Sequence, residues 1–263
     1  MKKLILPVLL FLLALTCASA QNENTCTVRN TAFSIGEQVY YKVSYNWNSL
    51  WLNAGEVSFK VNEGFFNNKP CYHMVGYGST YKSYDMFYKV RDTYESYIDM
   101  QTLKPLRFIR NVNEGGYTIN QNVVFRHSEK EAVSTKGTFM IPDCVQDVLS
   151  AIYFARNIDF SKYRKNDTIP VTLFLDDVLY PVYIRYLGKE IVTTRNGKYN
   201  CIKFSPLLIE GTIFKGGEEM KVWVTDDNNK IPVRVESPII VGSVYAELYK
   251  YSGLRNPVSS KLN

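Results

Sequence analysis

The stretch Val39-Tyr40-Tyr41-Lys42-Val43-Ser44-Tyr45-Asn46-Trp47 decides the fold. Val39, Tyr41, Val43, Tyr45 and Trp47 alternate with Tyr40, Lys42, Ser44 and Asn46. A period of two places the apolar set on one face of a half-buried strand. The pattern extends outward. Val57, Phe59 and Val61 resume it after a turn expected at Asn53-Ala54-Gly55. Asn67-Asn68-Lys69-Pro70 reads as the next turn, and strands follow over 71–78, 84–99, 104–112, 117–126 and 132–140. Beyond residue 168 come 169–175 and 178–187 around Asp176-Asp177, then 191–194 and 198–204 around Asn196-Gly197. Asn-Gly is a strong hairpin signal because both residues tolerate positive φ. Strands over 219–225, 231–236 and 239–251 complete the set.

One segment breaks the period. Val145, Val148, Leu149, Ile152 and Ala155 recur at spacings of three and four. Asp143 followed by Gln146 supplies a capping box, so the spacing predicts an amphipathic helix over about 144–157. Its apolar stripe requires a sheet face to pack on.

Two stretches echo each other. Tyr94-Glu95-Ser96-Tyr97-Ile98-Asp99 leads to Pro105-Leu106-Arg107. Met220-Lys221-Val222-Trp223-Val224-Thr225-Asp226 leads to Pro232-Val233-Arg234. In both, Pro follows Asp by six positions and Arg follows Pro by two; upstream lie Cys71-Tyr72-His73 and Cys201-Ile202-Lys203. An aromatic strand ending in a turn-capping Asp, with Pro opening the return strand, explains the motif physically. The expected fold is mainly β: antiparallel curved sheets or an open barrel, with two similar β-lobes and one helix packed between or against them. The expected division is 1–20 signal peptide, 21–142 N-terminal lobe, 143–160 linking helix, 161–256 C-terminal lobe and 257–263 frayed tail. The lobes could be separate domains or one.

Ser34-Ile35-Gly36-Glu37 before a Tyr-rich strand, with Asn53-Ala54-Gly55-Glu56 after it, resembles the start of the DUF3108 family. The run Asp147-Val148-Leu149-Ser150-Ala151-Ile152-Tyr153-Phe154-Ala155-Arg156 and the hairpin from Trp223 to Pro232 are similar too. The resemblance covers about residues 33–250 and implies an exported Gram-negative protein of unassigned activity, with no catalytic residues to carry over. The Asp-x5-Pro-x-Arg hairpin alone is also similar to one in periplasmic lipoprotein carriers and sorting factors, which implies a curved sheet that holds acyl chains.

Residues 1–20 read as an address. Lys2 and Lys3 precede an apolar run over 4–15, and Ala18-Ser19-Ala20 places small residues before Gln21. That run is too short to span a bilayer, and no other stretch is apolar enough to do so. Export to the periplasm or beyond, with cleavage after Ala20, is the expectation. Cys17 offers lipidation as a rival, with Thr16 a poor match to the small residue a lipoprotein signal needs just before the cysteine. The 263 residues carry 31 Lys and Arg against 25 Asp and Glu, a net charge of +6. Loss of Lys2 and Lys3 lowers it to +4, and the charges are interspersed, which argues against a nucleic-acid partner. A hydrophobic content of 46% excludes a disordered chain.

Four cysteines follow the leader: Cys26, Cys71, Cys144 and Cys201. An oxidising compartment favours disulfides among them, with three pairings open, or buried thiols. Cys71 and His73 share a strand face and could join a zinc site, although exported cysteines favour disulfides. Asp226-Asp227-Asn228-Asn229 lacks the Gly and Glu of a calcium hand and reads as a polar turn. His73 and His127 are the only imidazoles, and neither lies in a nucleophile motif. No phosphate-binding loop occurs. Asp167-Thr168-Ile169 fits a pattern at which exported bacterial proteins carry O-glycans, on Thr168, and Asn166-Asp167-Thr168 fits the N-glycan sequon.

Tyrosine is the surplus: 20 in all, with Tyr77, Tyr81, Tyr84, Tyr88, Tyr94 and Tyr97 within 21 residues. These rings suit a half-wet sheet face or a ligand groove. The expectation is a non-enzymatic exported protein, without cofactor or metal, that binds an apolar or amphipathic ligand such as lipid or lipoprotein. The alternative is a structural or interaction module in envelope assembly with a protein partner. The first requires an apolar cavity; the second requires a filled core and exposed aromatics.

Overall fold

The computed structural model describes residues 28–47, 50–210, 216–239 and 242–262. The N-terminal strands are β1 (Gln38–Trp47), β2 (Leu50–Phe66), β3 (Lys69–Thr80), β4 (Arg91–Ile98), β5 (Pro105–Glu114), β6 (Tyr117–Arg126), β7 (Glu131–Ser134) and β8 (Gly137–Met140). β9 (Val145–Gln146) and α1 (Val148–Ala155) form the middle of the chain. β10 (Thr168–Leu175), β11 (Val178–Thr194), β12 (Gly197–Pro206), β13 (Lys221–Thr225), β14 (Pro232–Pro238), β15 (Ser243–Ser252) and β16 (Lys261–Leu262) follow. The strands form one sheet in the order β8 to β1, then β15 down to β9, with β16 added on β12. β9 pairs with β10 in parallel, and the other neighbours are antiparallel.

The sheet is mostly β, curved and open, with β8 and β9 as its ends. Its two halves join through β1 and β15, where Val43 faces Ala246. It curls far enough for the halves to meet again by side chains. Phe125 on β6 and Phe139 on β8 pack on Phe174 of β10, with ring centroids 6.0 and 5.8 Å apart. Arg110 on β5 pairs with Asp176, and Lys136 Nζ lies 3.3 Å from Asp177, both in the β10–β11 turn.

Turn chemistry explains the tight connections. Asn67 and Asn68 have φ of 49° and 61°, and Asp176 and Asp177 have 52° and 66°. Paired left-handed residues match the right-handed twist of the flanking strands. At the β11–β12 turn the reading shifts by one residue. Thr194 pairs with Gly197, so Arg195 and Asn196 are central and Gly197 alone carries the positive φ, 133°.

Three other expectations differ from the fold. Asn53-Ala54-Gly55 is not a turn but a bulge within β2: Val43 faces Gly55 while Ser44 faces Asn53. Glycine is required there, because a Cβ would collide with the Ser79 carbonyl oxygen on β3. The helix is shorter than 144–157. Asp147, not Asp143, is the N-cap, accepting from Leu149 N and Ser150 N, while Ser150 closes the capping box. Val145 and Gln146 instead pair with Thr172 and Leu173. The C-terminal tail is docked rather than frayed: Lys261 and Leu262 pair with Tyr199 and Lys198, and Ser260 Oγ donates to Asp227 Oδ2 at 2.8 Å.

α1 fills the inside of the curve, touching β3, β4, β9 and β10. Leu149 and Tyr153 join Phe33, Val61, Met74 and Ile98. Phe154 joins Ile169, Ile202, Phe204 and Val222. A helix of eight residues is too short to persist alone, so this packing on both flanks holds it. Arg156, just past its end, pairs with Glu37 just before β1, and both are buried.

The sequence echo is structural. In β4–β5, Tyr97 faces Arg107 and Ile98 faces Pro105 across a bulge. In β13–β14, Trp223 faces Arg234 and Val224 faces Pro232 across a bulge at the matching place. Leu103 and Lys230, each two residues before the proline, have φ of 56° and 43°. The preceding strand repeats too: His73 faces Tyr97 and Lys203 faces Trp223.

Candidate interaction surface

In an antiparallel meander alternate turns fall on one edge. The β1–β2, β3–β4 and β5–β6 connections therefore share an edge of the sheet. The β3–β4 connection departs from the expected strand over 84–99. Residues 81–89 are a run of turns: Tyr84 N donates to Tyr81 O at 2.8 Å, and Phe87 N and Tyr88 N donate to Tyr84 O at 2.9 and 3.0 Å. Asp85 diverts the chain. Its Oδ2 accepts from Arg91 Nη2 at 2.6 Å and its Oδ1 from Thr80 Oγ1 at 2.8 Å, which ties both ends of the loop together. These contacts hold the Asp85 carboxyl below its usual range, with the Thr80 hydroxyl as the largest cause.

The loop is also fastened to the β5–β6 turn. Val90 bridges to Glu114, Gly115 N donates to Lys89 O at 2.8 Å, and the Tyr88 ring lies over Gly115. Beneath it, Asp92 Oδ1 accepts from Asn113 N at 3.0 Å. Burial, with Glu114 adding to it, pushes the Asp92 carboxyl up to about 6. Burial also raises Tyr94, to about 12, with Arg110 opposing. At the tip, Met86 and Phe87 are 82% and 78% exposed, and Tyr88, Trp51 and Tyr117 are exposed on the same edge.

The six tyrosines do not form one concave surface. Tyr77 is exposed on β3, facing Thr93. Tyr97 is half-buried on β4, with the His73 ring stacked 4.4 Å away. Tyr94 turns to the other face and packs among the core clusters beside Phe108. Tyr81, Tyr84 and Tyr88 lie in the loop. The Tyr81 hydroxyl joins Lys42 Nζ at 3.0 Å and Glu56 Oε1 at 3.1 Å, and Tyr249 closes that cluster with its ring 4.6 Å from Lys42 Nζ. What sequence reasoning missed is the Met86-Phe87 tip. Two apolar neighbours after an aspartate interrupt the period of two, and that break was the available signal.

The remaining candidate residues have structural partners. His73 Nε2 is 2.7 Å from Glu95 Oε2, and a His127 ring nitrogen is 2.7 Å from Pro105 O. Burial lowers the His127 pKa. Cys71 and Cys201 are buried free thiols, and burial pushes Cys201 up to about 12, which leaves it unreactive. Cys144 is disulfide-bonded, and Cys26 lies outside the described residues, as do Cys17 and the leader. Among the described residues no three His, Cys, Asp or Glu side chains converge as metal ligands. Asp226 pairs with Lys189 at 2.7 Å, and Asp227 caps its own turn through Asn229 N at 3.0 Å. Thr168 is exposed at the start of β10.

No helix among the described residues is long and apolar enough to cross a membrane. A solved structure of a β-barrel-like protein of the DUF1849 domain from Brucella abortus is 10% identical, covers 86% of this chain and 98% of its own, and superposes with a TM-score of 0.55. It shares the fold. A provisionally described lipoprotein from Parabacteroides distasonis is 13% identical over 86% of this chain and 99% of its own, at a TM-score of 0.38. A provisionally described exported protein with a YmcC-like fold from Bacteroides fragilis is 12% identical over 86% and 100%, at 0.33. No curated protein matches this chain. The family model of DUF3108, a protein of unknown function, matches residues 40–249, and the chain belongs to that family.

Proposed function

We propose that this protein is a non-enzymatic, exported envelope module that works through its outer surface and not through an enclosed ligand chamber. The observation that carries this reading is the occupied interior. The space inside the curved sheet holds α1, its flanking core clusters and the buried Glu37–Arg156 pair. A lipid carrier of this shape needs an apolar cavity of a few hundred cubic ångströms in that place. Two cavities among the described residues, of about 520 and 460 Å3, open to solvent and include polar residues in their walls: Arg29, Asn30, Gln101 and Arg255 in one, Ser252, Asn256 and Lys261 in the other. Exposed aromatic and apolar side chains instead gather on the sheet edge around Met86, Phe87 and Tyr117. Patches of this kind mark contact sites.

Native mass spectrometry of the exported protein, purified from its soluble fraction without detergent, separates the two readings. The surface-module reading expects no acyl-lipid adduct. A stoichiometric lipid adduct retained through purification would establish the carrier reading instead.

A further inference from the structure

The Met86-Phe87 tip is unusual because its exposure is built rather than accidental. Two large apolar neighbours stand about four-fifths in solvent, at 82% and 78%. A loose loop would fold them back. Here the turn bonds from Phe87 N and Tyr88 N to Tyr84 O, the Asp85–Arg91 clamp and the Gly115–Lys89 bond hold them out. The rim has a definite chemistry. Exposed Lys82 and Lys89 flank the tip, while the loop's own acid, Asp85, is consumed by Arg91. Tyr84 and Tyr88 stand on either side of it in the loop, and exposed Trp51 and Tyr117 lie along the same edge. An apolar tip with amphipathic aromatics and lysines beside it in the loop and on the same edge matches the layering of a bilayer surface: acyl boundary, interfacial rings, anionic headgroups. A protein interface needs about 800 Å2 on each partner, and a two-residue convex tip supplies far less.

We propose that the 81–89 loop is a membrane-docking tip, in which Met86 and Phe87 enter the headgroup–acyl boundary of an anionic bilayer while Lys82 and Lys89 contact its headgroups. This rests on the surface-module reading in locating function outside the core. It names the bilayer as what that edge meets. Docking through so few groups is weak and reversible, and it is favoured by low salt.

The test is sedimentation of the exported chain with vesicles of phosphatidylethanolamine and phosphatidylglycerol, beside vesicles of phosphatidylcholine alone. The expected result is partition onto the anionic vesicles, weakened by salt. Phe87→Ser and Met86→Ser should each weaken it by about tenfold, the factor lost when one large apolar side chain no longer leaves water. Both positions are exposed, so thermal melting of the variants should match the parent chain. Phe87→Trp gives a second readout: its emission should shift to the blue on anionic vesicles and be quenched by brominated lipid. Absence of partition onto anionic vesicles at low salt, or partition that ignores both serine variants, would overturn the proposal. So would a dimer in light scattering that Phe87→Ser dissociates, since the tip would then be a self-interface. None of these failures creates an acyl-lipid adduct in the native mass spectrum, so they are distinct from failure of the surface-module reading.

Discussion

Arg156 Nη2 donates to Glu37 Oε2 at 2.9 Å, and the two side chains are 3% and 0% exposed. Arg156 Nε also donates to Asn229 O at 3.0 Å, and its guanidinium lies 5.2 Å from the Tyr153 ring centroid. One residue thus joins the end of α1, the entry to β1 and the β13–β14 turn. Removing one partner leaves the other charge buried alone, which costs about 3–5 kcal/mol. Arg156→Met should lower stability by that amount in equilibrium urea unfolding. Glu37→Leu combined with Arg156→Met should recover a large part of it. A loss below about 1 kcal/mol for Arg156→Met alone would mean that water reaches the pair.

A second prediction concerns pH. Burial raises Asp92 and Asp147 in the folded state, each to about 6, above their ordinary carboxylate values. The folded protein therefore binds protons more tightly than the unfolded chain. The stabilisation from these two groups is complete below about pH 4 and is lost as pH rises through 6. These two groups should lower the melting temperature between pH 5 and pH 7.5, opposed by His127, whose lowered pKa adds stability as pH rises. Asp92→Asn keeps an acceptor for Asn113 N and removes the charge, so it should flatten that fall and raise stability at pH 7.5 by about 1 kcal/mol. An unchanged pH profile for Asp92→Asn would refute the assignment.

The bulge in β2 predicts a sensitive glycine. Gly55→Ala places a Cβ against the Ser79 backbone, which cannot rotate away. Forced repacking of this kind costs about 1–3 kcal/mol. Gly116→Ala, where a Cβ meets open space and only the φ of 94° opposes it, should cost less. Denaturant midpoints of the two variants provide the comparison.

The two echoing hairpins share geometry but not burial. Trp223 is 5% exposed within a core cluster beside Cys201, whereas Tyr97 is half-buried under His73. Trp223→Ala should cost about 3–5 kcal/mol, and Tyr97→Ala markedly less. Equal losses in urea unfolding would contradict the packing described.

Local rules made much of this fold legible. The alternation in β1 and the Asn and Asp turn pairs gave strands and hairpins directly. The matched Asp, Pro and Arg gave the repeat, because the bulge and the left-handed residue before each proline are local features. What escaped depended on distant partners. Gly55 read as a turn because the Ser79 carbonyl that demands it lies on another strand. The helix start moved to Asp147 because Ser96 Oγ, far away on β4, donates to that carboxylate at 2.6 Å and fixes it. The tail read as frayed because its partners, Tyr199 and Asp227, lie at least 30 residues upstream. Of the candidate surface, composition indicated the tyrosine-rich region. It could not divide those rings between faces or reveal that Asp85 and Arg91 pin the loop that carries Met86 and Phe87.

The central claim is that this protein acts through its outside. Site-specific photocrosslinking in the intact envelope tests it most directly, with the photoreactive residue placed at exposed Tyr77, Phe87 and Tyr117 in turn. The account predicts discrete envelope adducts from one or more of these positions, lipid at Phe87 included, with the protein folded and exported throughout. No adduct above background at any of the three would contradict it.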